Sequence, residues 1–88
     1  MSTKLTEMRY TRHASQKFDL VRAYGFEVSK AEVEKAISSP DKIERKGLQI
    51  FSTKILDDEF ALRVVHEVRK GIIVVITFYP VKRERYGL

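Results

Sequence analysis

The chain has no cysteine and no tryptophan, and only two histidines, two prolines and four glycines. Without cysteine it can build neither a disulfide framework nor a thiolate metal site. Two histidines among scattered carboxylates are too few to suggest a metal centre, and neither a metal nor another cofactor is expected. No stretch approaches the roughly 20 apolar residues of a membrane span, so no membrane partner is expected. The opening residues, Met1-Ser2-Thr3-Lys4-Leu5-Thr6-Glu7, lack the apolar core of a signal peptide, and a cytoplasmic location is the expectation.

What is present suits one small domain. Eighty-eight residues, 43% apolar and 10% aromatic, can build a modest core and argue against global disorder. The net charge of +5 and a pI near 9.6 favour polyanionic or acidic partners through long-range attraction. Part of the excess is concentrated at the end, where Lys82, Arg83 and Arg85 face only Glu84.

Residues 1–8 read as a polar flexible leader and residues 9–88 as the domain. Arg9-Tyr10 can form a short strand leading into a first helix from about His13 to Tyr24. Ala14, Phe18, Leu20 and Val21 lie on its apolar side, Thr11 is the N-cap candidate and Gly25 the stop. A second helix is marked by Ser29 and Glu32 as a capping box, with Val28 and Val33 as its hydrophobic staple. Ser38-Ser39-Pro40 ends it, since proline disfavours helical geometry in the residue before it.

Beyond Asp41 the hydrophobic period becomes two. Strands are expected near 42–46, 48–56, 60–69 and 72–80, broken by Gly47, Asp57-Asp58 and Gly71. The tripeptide Arg-Lys-Gly occurs at both 45–47 and 69–71, each time as a hairpin loop with a left-handed glycine. For the last hairpin, a two-residue Lys70-Gly71 loop would set Arg63 against Phe78. A three-residue Arg69-Lys70-Gly71 loop instead pairs Val68 with Ile72, Val64 with Ile76 and Leu62 with Phe78. Hydrophobic matching favours the second register. It also gathers Arg63, Thr77 and Tyr79 on the opposite, open face.

The expected fold is therefore α+β: two N-terminal helices packed on one face of a four-stranded antiparallel sheet. The helices should cover Leu62, Val64, Ile76 and Phe78. Phe18, Phe26, Phe51 and Phe60 are assigned to the core. Exposed strand edges leave room for a homodimer.

Several pieces taken in order resemble a family. They are Arg12-His13-Ala14, Ser39-Pro40-Asp41, Leu62-Arg63-Val64-Val65 and Ile76-Thr77-Phe78-Tyr79-Pro80. Over residues 9–86 the chain resembles a group of small prokaryotic proteins similar to the RelE/ParE-like toxins, including the BrnT branch. The connection Ala23–Val28 is longer than the simpler family pattern. The resemblance implies a RelE-like fold, metal-independent cleavage of messenger RNA, often on the ribosome, and neutralisation by an antitoxin, here expected to be acidic. Other members of that superfamily poison gyrase.

RNA cleavage through the 2′-hydroxyl needs a base, an acid for the leaving oxygen and positive charge at the phosphate. His13 is the candidate base; a local hydrogen bond at the helix start is the plain alternative. Arg63 could hold a phosphate bidentately or form an ion pair with Glu59 or Glu67. Tyr79 could donate to or stack on a nucleotide, or simply pack in its strand, and Tyr86 is the alternative to His13 for moving protons. Arg12, Lys82, Arg83, Arg85 and Tyr86 form a cationic, aromatic set suited to phosphate contact and base stacking, and similar toxins use C-terminal Arg or Tyr residues. A solvated tail is the alternative. His66 alternates with Leu62, Val64 and Val68 and is assigned to the core side. Arg45, Lys46, Arg69 and Lys70 read as solvated loop tips able to extend the same electropositive surface. The alternatives to a toxin-type endoribonuclease are a non-catalytic RNA- or ribosome-binding module and a protein-interaction subunit that docks an acidic partner.

Overall fold

The computed structural model describes residues 7–88 and has the α+β class. The elements are β1 (Met8–Tyr10), α1 (Arg12–Ala23), α2 (Lys30–Ser38), β2 (Lys42–Lys46), β3 (Gln49–Ile55), β4 (Phe60–Arg69) and β5 (Ile72–Lys82), followed by a short 3₁₀ turn (Arg83–Tyr86). Most of the leader expected over residues 1–8 lies outside the described residues. Its last part is not a leader: Glu7 accepts a hydrogen bond from the Ile73 backbone, and Met8 opens β1.

Both helices start where the side-chain chemistry says they should. Thr11 Oγ1 accepts from the Ala14 amide, and Ser29 and Glu32 form the full reciprocal capping box. Each satisfies amide donors that a helix start otherwise leaves without partners. Ala14 and Val21 of α1 and Val33 and Ala36 of α2 are buried against Leu62, Val64, Val75 and Phe78 of the sheet. Phe18 joins Tyr10 to Phe78 through ring contacts of 5.8 and 4.6 Å. Leu20, assigned to the apolar side of α1, stays 47% exposed.

The sheet corrects the expected architecture. It has five strands in the order β1-β5-β4-β3-β2 and is mixed, because β1 adds in parallel to β5. Met8, Arg9 and Tyr10 pair with Ile73, Val74 and Val75. A short strand at Arg9-Tyr10 is expected from the sequence, but three residues are too few to display a period of two and give no sign of the strand they join.

The last hairpin also differs from the expected register. Its loop is the two-residue Lys70-Gly71, with Arg69 paired to Ile72, Val68 to Ile73 and His66 to Val75. Lys70 and Gly71 both take positive φ, at 51° and 78°, the pattern of a type I′ turn. A bulge then intervenes: Val65 pairs with Thr77, so Ile76 is the extra residue of β5. Beyond it Val64 meets Phe78 and Leu62 meets Pro80. The bulge restores apolar matching that a plain two-residue hairpin would have lost, and Val75 takes the core position expected for Ile76. Arg63, Thr77 and Tyr79 nevertheless share the face opposite the helices, as expected.

His66 is 4% exposed on the helix side, its Nε2 3.0 Å from Ser52 Oγ. Phe26 and Phe60 meet edge to face at 5.0 Å. Phe51 departs from its core assignment: it lies on the opposite face, against Arg63.

Candidate functional site

Two groups of polar side chains, one on the face away from the helices and one along the seam of α1 with β5, are joined where Arg63 pairs with Tyr79 across β4 and β5. The first is centred on Arg63, which is only 8% exposed. Its Nη1 donates to Glu44 Oε1 at 2.8 Å and to Thr53 Oγ1 at 3.1 Å. The guanidinium carbon lies over two rings, 4.8 Å from the centroid of Phe51 and 4.6 Å from that of Tyr86. Burial by itself would loosen the Arg63 proton, but hydrogen bonding with Glu44 and Tyr79 outweighs it and shifts its pKa upward. The Arg63 hydrogen bond holds the Glu44 carboxyl below its usual range. Arg63 is thus ion-paired, with Glu44 rather than the Glu59 or Glu67 considered from sequence. Glu44 reaches it because β2 and β3 pair in a register that sets Glu44 opposite Phe51 and Lys42 opposite Thr53, beside Arg63.

The second group runs along the seam between α1 and β5. His13 is exposed, and its Nε2 lies 3.1 Å from Thr77 Oγ1. One helical turn on, the Lys17 ammonium sits 5.8 Å from the centroid of the Tyr79 ring. Leu20 and Tyr24 continue the row at helical spacing, and with Phe26 and Pro80 they line an apolar groove beside Tyr79. Arg12, exposed in the first turn of α1, stands next to His13 in sequence. The bulge at Ile76 contributes directly, since Thr11 Oγ1 donates to the Ile76 carbonyl and its amide to that of Val75. These bonds tie the start of α1 to β5 and bring His13 over Thr77.

The C-terminal residues do not form the free cationic tail expected of them. Arg83 donates through Nη1 to the Asp57 and Asp58 carbonyls at 3.0 and 3.4 Å. Its Nε is buried with no partner. Lys82 is 3.1 Å from Glu59. Lys42 donates to the Tyr86 carbonyl at 2.9 Å, holding the turn down over Arg63. Arg85 is exposed and, among the described residues, forms no ion pair.

The structure therefore brings His13 to Thr77, Lys17 to Tyr79, and Arg63 to both Tyr79 and Tyr86, while Arg83 stands apart at the β3–β4 turn. Sequence reasoning missed Lys17 and Glu44 as members of the face. Lys17 is four residues after His13 and so lies on the same side of α1. Glu44 was reachable only by carrying the strand pairing out to β2. Among the described residues, no three His, Cys, Asp or Glu side chains group so as to hold a metal ion. No described helix is long and apolar enough to cross a membrane.

What the seam offers chemically is an accessible imidazole sharing a hydrogen bond with a hydroxyl, an aromatic ring one position along the same strand face, and an ammonium beside that ring. Compared with family models, with curated proteins and with solved structures, the chain matches none.

Proposed function

We propose that the protein is a RelE-like, toxin-type RNA-binding protein that meets RNA along the α1–β5 seam and cleaves it without a metal. The carrying observation is the exposed His13 imidazole, 3.1 Å from Thr77 Oγ1, in one row with Lys17 and Tyr79. A nucleotide laid along that row would stack on Tyr79, place its phosphate near Lys17 and Arg12, and present its 2′-hydroxyl to His13 as base. Attack on phosphorus breaks the P–O5′ bond, and the departing 5′-oxygen takes its proton from solvent at this exposed site. Arg63 acts from behind as a fixed cation that orients Tyr79 and Tyr86. An acidic antitoxin is the natural antagonist for a cationic chain of this kind.

One observation favours a second reading, a non-catalytic RNA-binding module on the same scaffold. Arg63, Lys82 and Arg83, the cations assigned to the phosphate, are held by Glu44, Glu59 and the carbonyls of Asp57 and Asp58.

Purified protein incubated with RNA and a chelator, with and without ribosomes, separates these readings. Cleavage that His13→Ala abolishes while RNA binding persists supports the enzyme. Salt-dependent binding without cleavage supports the module. If neither binding nor cleavage is seen, the RNA reading fails.

A further inference from the structure

The Arg-Lys-Gly tripeptide occurs twice, and the fold gives the repetition a spatial meaning. Arg45-Lys46-Gly47 closes β2 onto β3, and Arg69-Lys70-Gly71 closes β4 onto β5. Because consecutive strands are neighbours through β2-β3-β4-β5, both turns project from the same end of the sheet. Two strand spacings separate them, about 10 Å. The loops are Gly47-Leu48 and Lys70-Gly71, two residues each, so Lys70 sits in its loop while Arg45, Lys46 and Arg69 are held at the paired ends of their strands. Positive φ at Gly47, Lys70 and Gly71 fixes both tips tightly.

The charge at this end is not offset in the way the tail's is. Arg45, Lys46, Arg69 and Lys70 are all exposed. Among the described residues, only Arg69 has a carboxylate partner, Glu67 at 2.8 Å. At the opposite end, Asp57, Asp58, Glu59 and Glu84 surround Lys82, Arg83 and Arg85. The long axis of the sheet therefore runs from a cationic end to an end where the charges nearly cancel, and the unengaged charge lies at the loop tips that the sequence suggested could extend the electropositive surface.

We propose that the two Arg-Lys-Gly turns form a second nucleic-acid contact, which grips the sugar-phosphate backbone of RNA away from the α1–β5 seam. This rests on the RNA-binding reading above and names the part of the surface that supplies most of its electrostatic affinity. Two cationic points about 10 Å apart span several phosphates of one strand. Contacts of this kind position RNA without reading its sequence. An anionic lipid surface is disfavoured by the composition of the tips. Leu48 at the first turn and Val68 beside the second are 84% and 55% exposed, two separate aliphatic side chains against four exposed cations, which favours a phosphate backbone over a bilayer.

The test compares wild-type protein with Lys46→Gln/Lys70→Gln and, separately, Lys35→Gln on α2, titrating a structured RNA at several salt concentrations. The double variant should bind about tenfold or more weakly near 0.1 M salt, and its log K against log salt slope should be shallower by about 1.5 to 2. Lys35→Gln should leave that slope nearly unchanged. Wild-type binding with an unaltered slope in the double variant overturns this inference and leaves the RNA reading standing. Absence of RNA binding by the wild type overturns both. Binding to phosphatidylserine vesicles that Leu48→Ser abolishes, with no loss of RNA affinity in the double variant, overturns it in favour of a membrane contact.

Discussion

Arg63 lies against the ring of Tyr86, its guanidinium carbon 4.6 Å from that ring centroid and 4.8 Å from the centroid of Phe51. A cation taken from water and packed against two rings is one of the few ways a buried arginine can be accommodated with a single carboxylate partner. The C-terminal turn is thereby part of the fold rather than an appendage.

Tyr86→Ala should lower stability by about 1–2 kcal/mol, since it removes the ring that covers a desolvated cation. Tyr86→Phe keeps the stacking surface and should stay within about 0.5 kcal/mol of the wild type. Urea unfolding measures both. Equal losses for the two variants would mean that the phenol oxygen, and not the ring, holds the turn.

Arg63→Ala should cost about 2–4 kcal/mol, combining a cavity beside Phe51 and Tyr86 with an unpartnered Thr53 hydroxyl. Arg63→Lys should recover less than half of that, because an ammonium cannot lie flat against two rings while also donating to Glu44. Full recovery by lysine would show that charge alone matters at this position.

Stability should depend on pH in two windows. Burial, followed by the nearby Arg45 charge, lowers the His66 pKa from its usual value. The folded state thus binds this proton less readily than the unfolded chain. That contribution to stability is complete above about pH 6.5 and declines as pH falls from there toward the lower folded value. His66→Gln should flatten the thermal midpoint between pH 7.5 and 5. The second window is more acidic. Glu44 is held low by its Arg63 hydrogen bond, and Asp57 by the Phe60 and Glu59 amides. Both contribute above about pH 4 and lose that contribution as pH falls through their depressed values. Unchanged midpoints in His66→Gln across the upper window would shift the cause to another group.

Lys70 adopts φ of 51°, a conformation costly for a lysine and ordinary for asparagine or glycine. Lys70→Asn should therefore stabilise the fold by about 0.5–1 kcal/mol, read from urea unfolding, while weakening RNA binding. A gain in stability together with lost affinity would mark the residue as one kept for its charge. Destabilisation would show that the lysine side chain holds the turn.

The parts of this fold that were legible in the sequence are those governed by near neighbours. Thr11, Ser29 and Glu32 announced their helix starts, because a cap is satisfied within three residues. The common face of Arg63, Thr77 and Tyr79 was also legible, although the register was not. An extra residue at Ile76 preserves facing beyond it, and a one-residue bulge carries no signal in local composition. The partners of the site cations were hidden for a different reason. Glu44 reaches Arg63 across two strand pairings, and Arg83 reaches the β3–β4 turn only because β5 ends beside it. Such contacts depend on topology, which neighbouring residues do not encode. The tail accordingly read as free charge, and the twin turns as solvated tips able to extend it.

The pairing of β1 with β5 joins Met8–Tyr10 to Ile73–Val75, two segments more than sixty residues apart. During synthesis, β1 and α1 leave the ribosome well before the strand that receives them. The core face of α1 must wait with Ala14, Phe18 and Val21 uncovered until β5 arrives. Closing so long a loop makes that docking slow compared with forming the β2–β5 meander. A nascent chain halted before residue 72 would hold its first helix exposed, which makes this end of the molecule the one most open to chaperones and proteases.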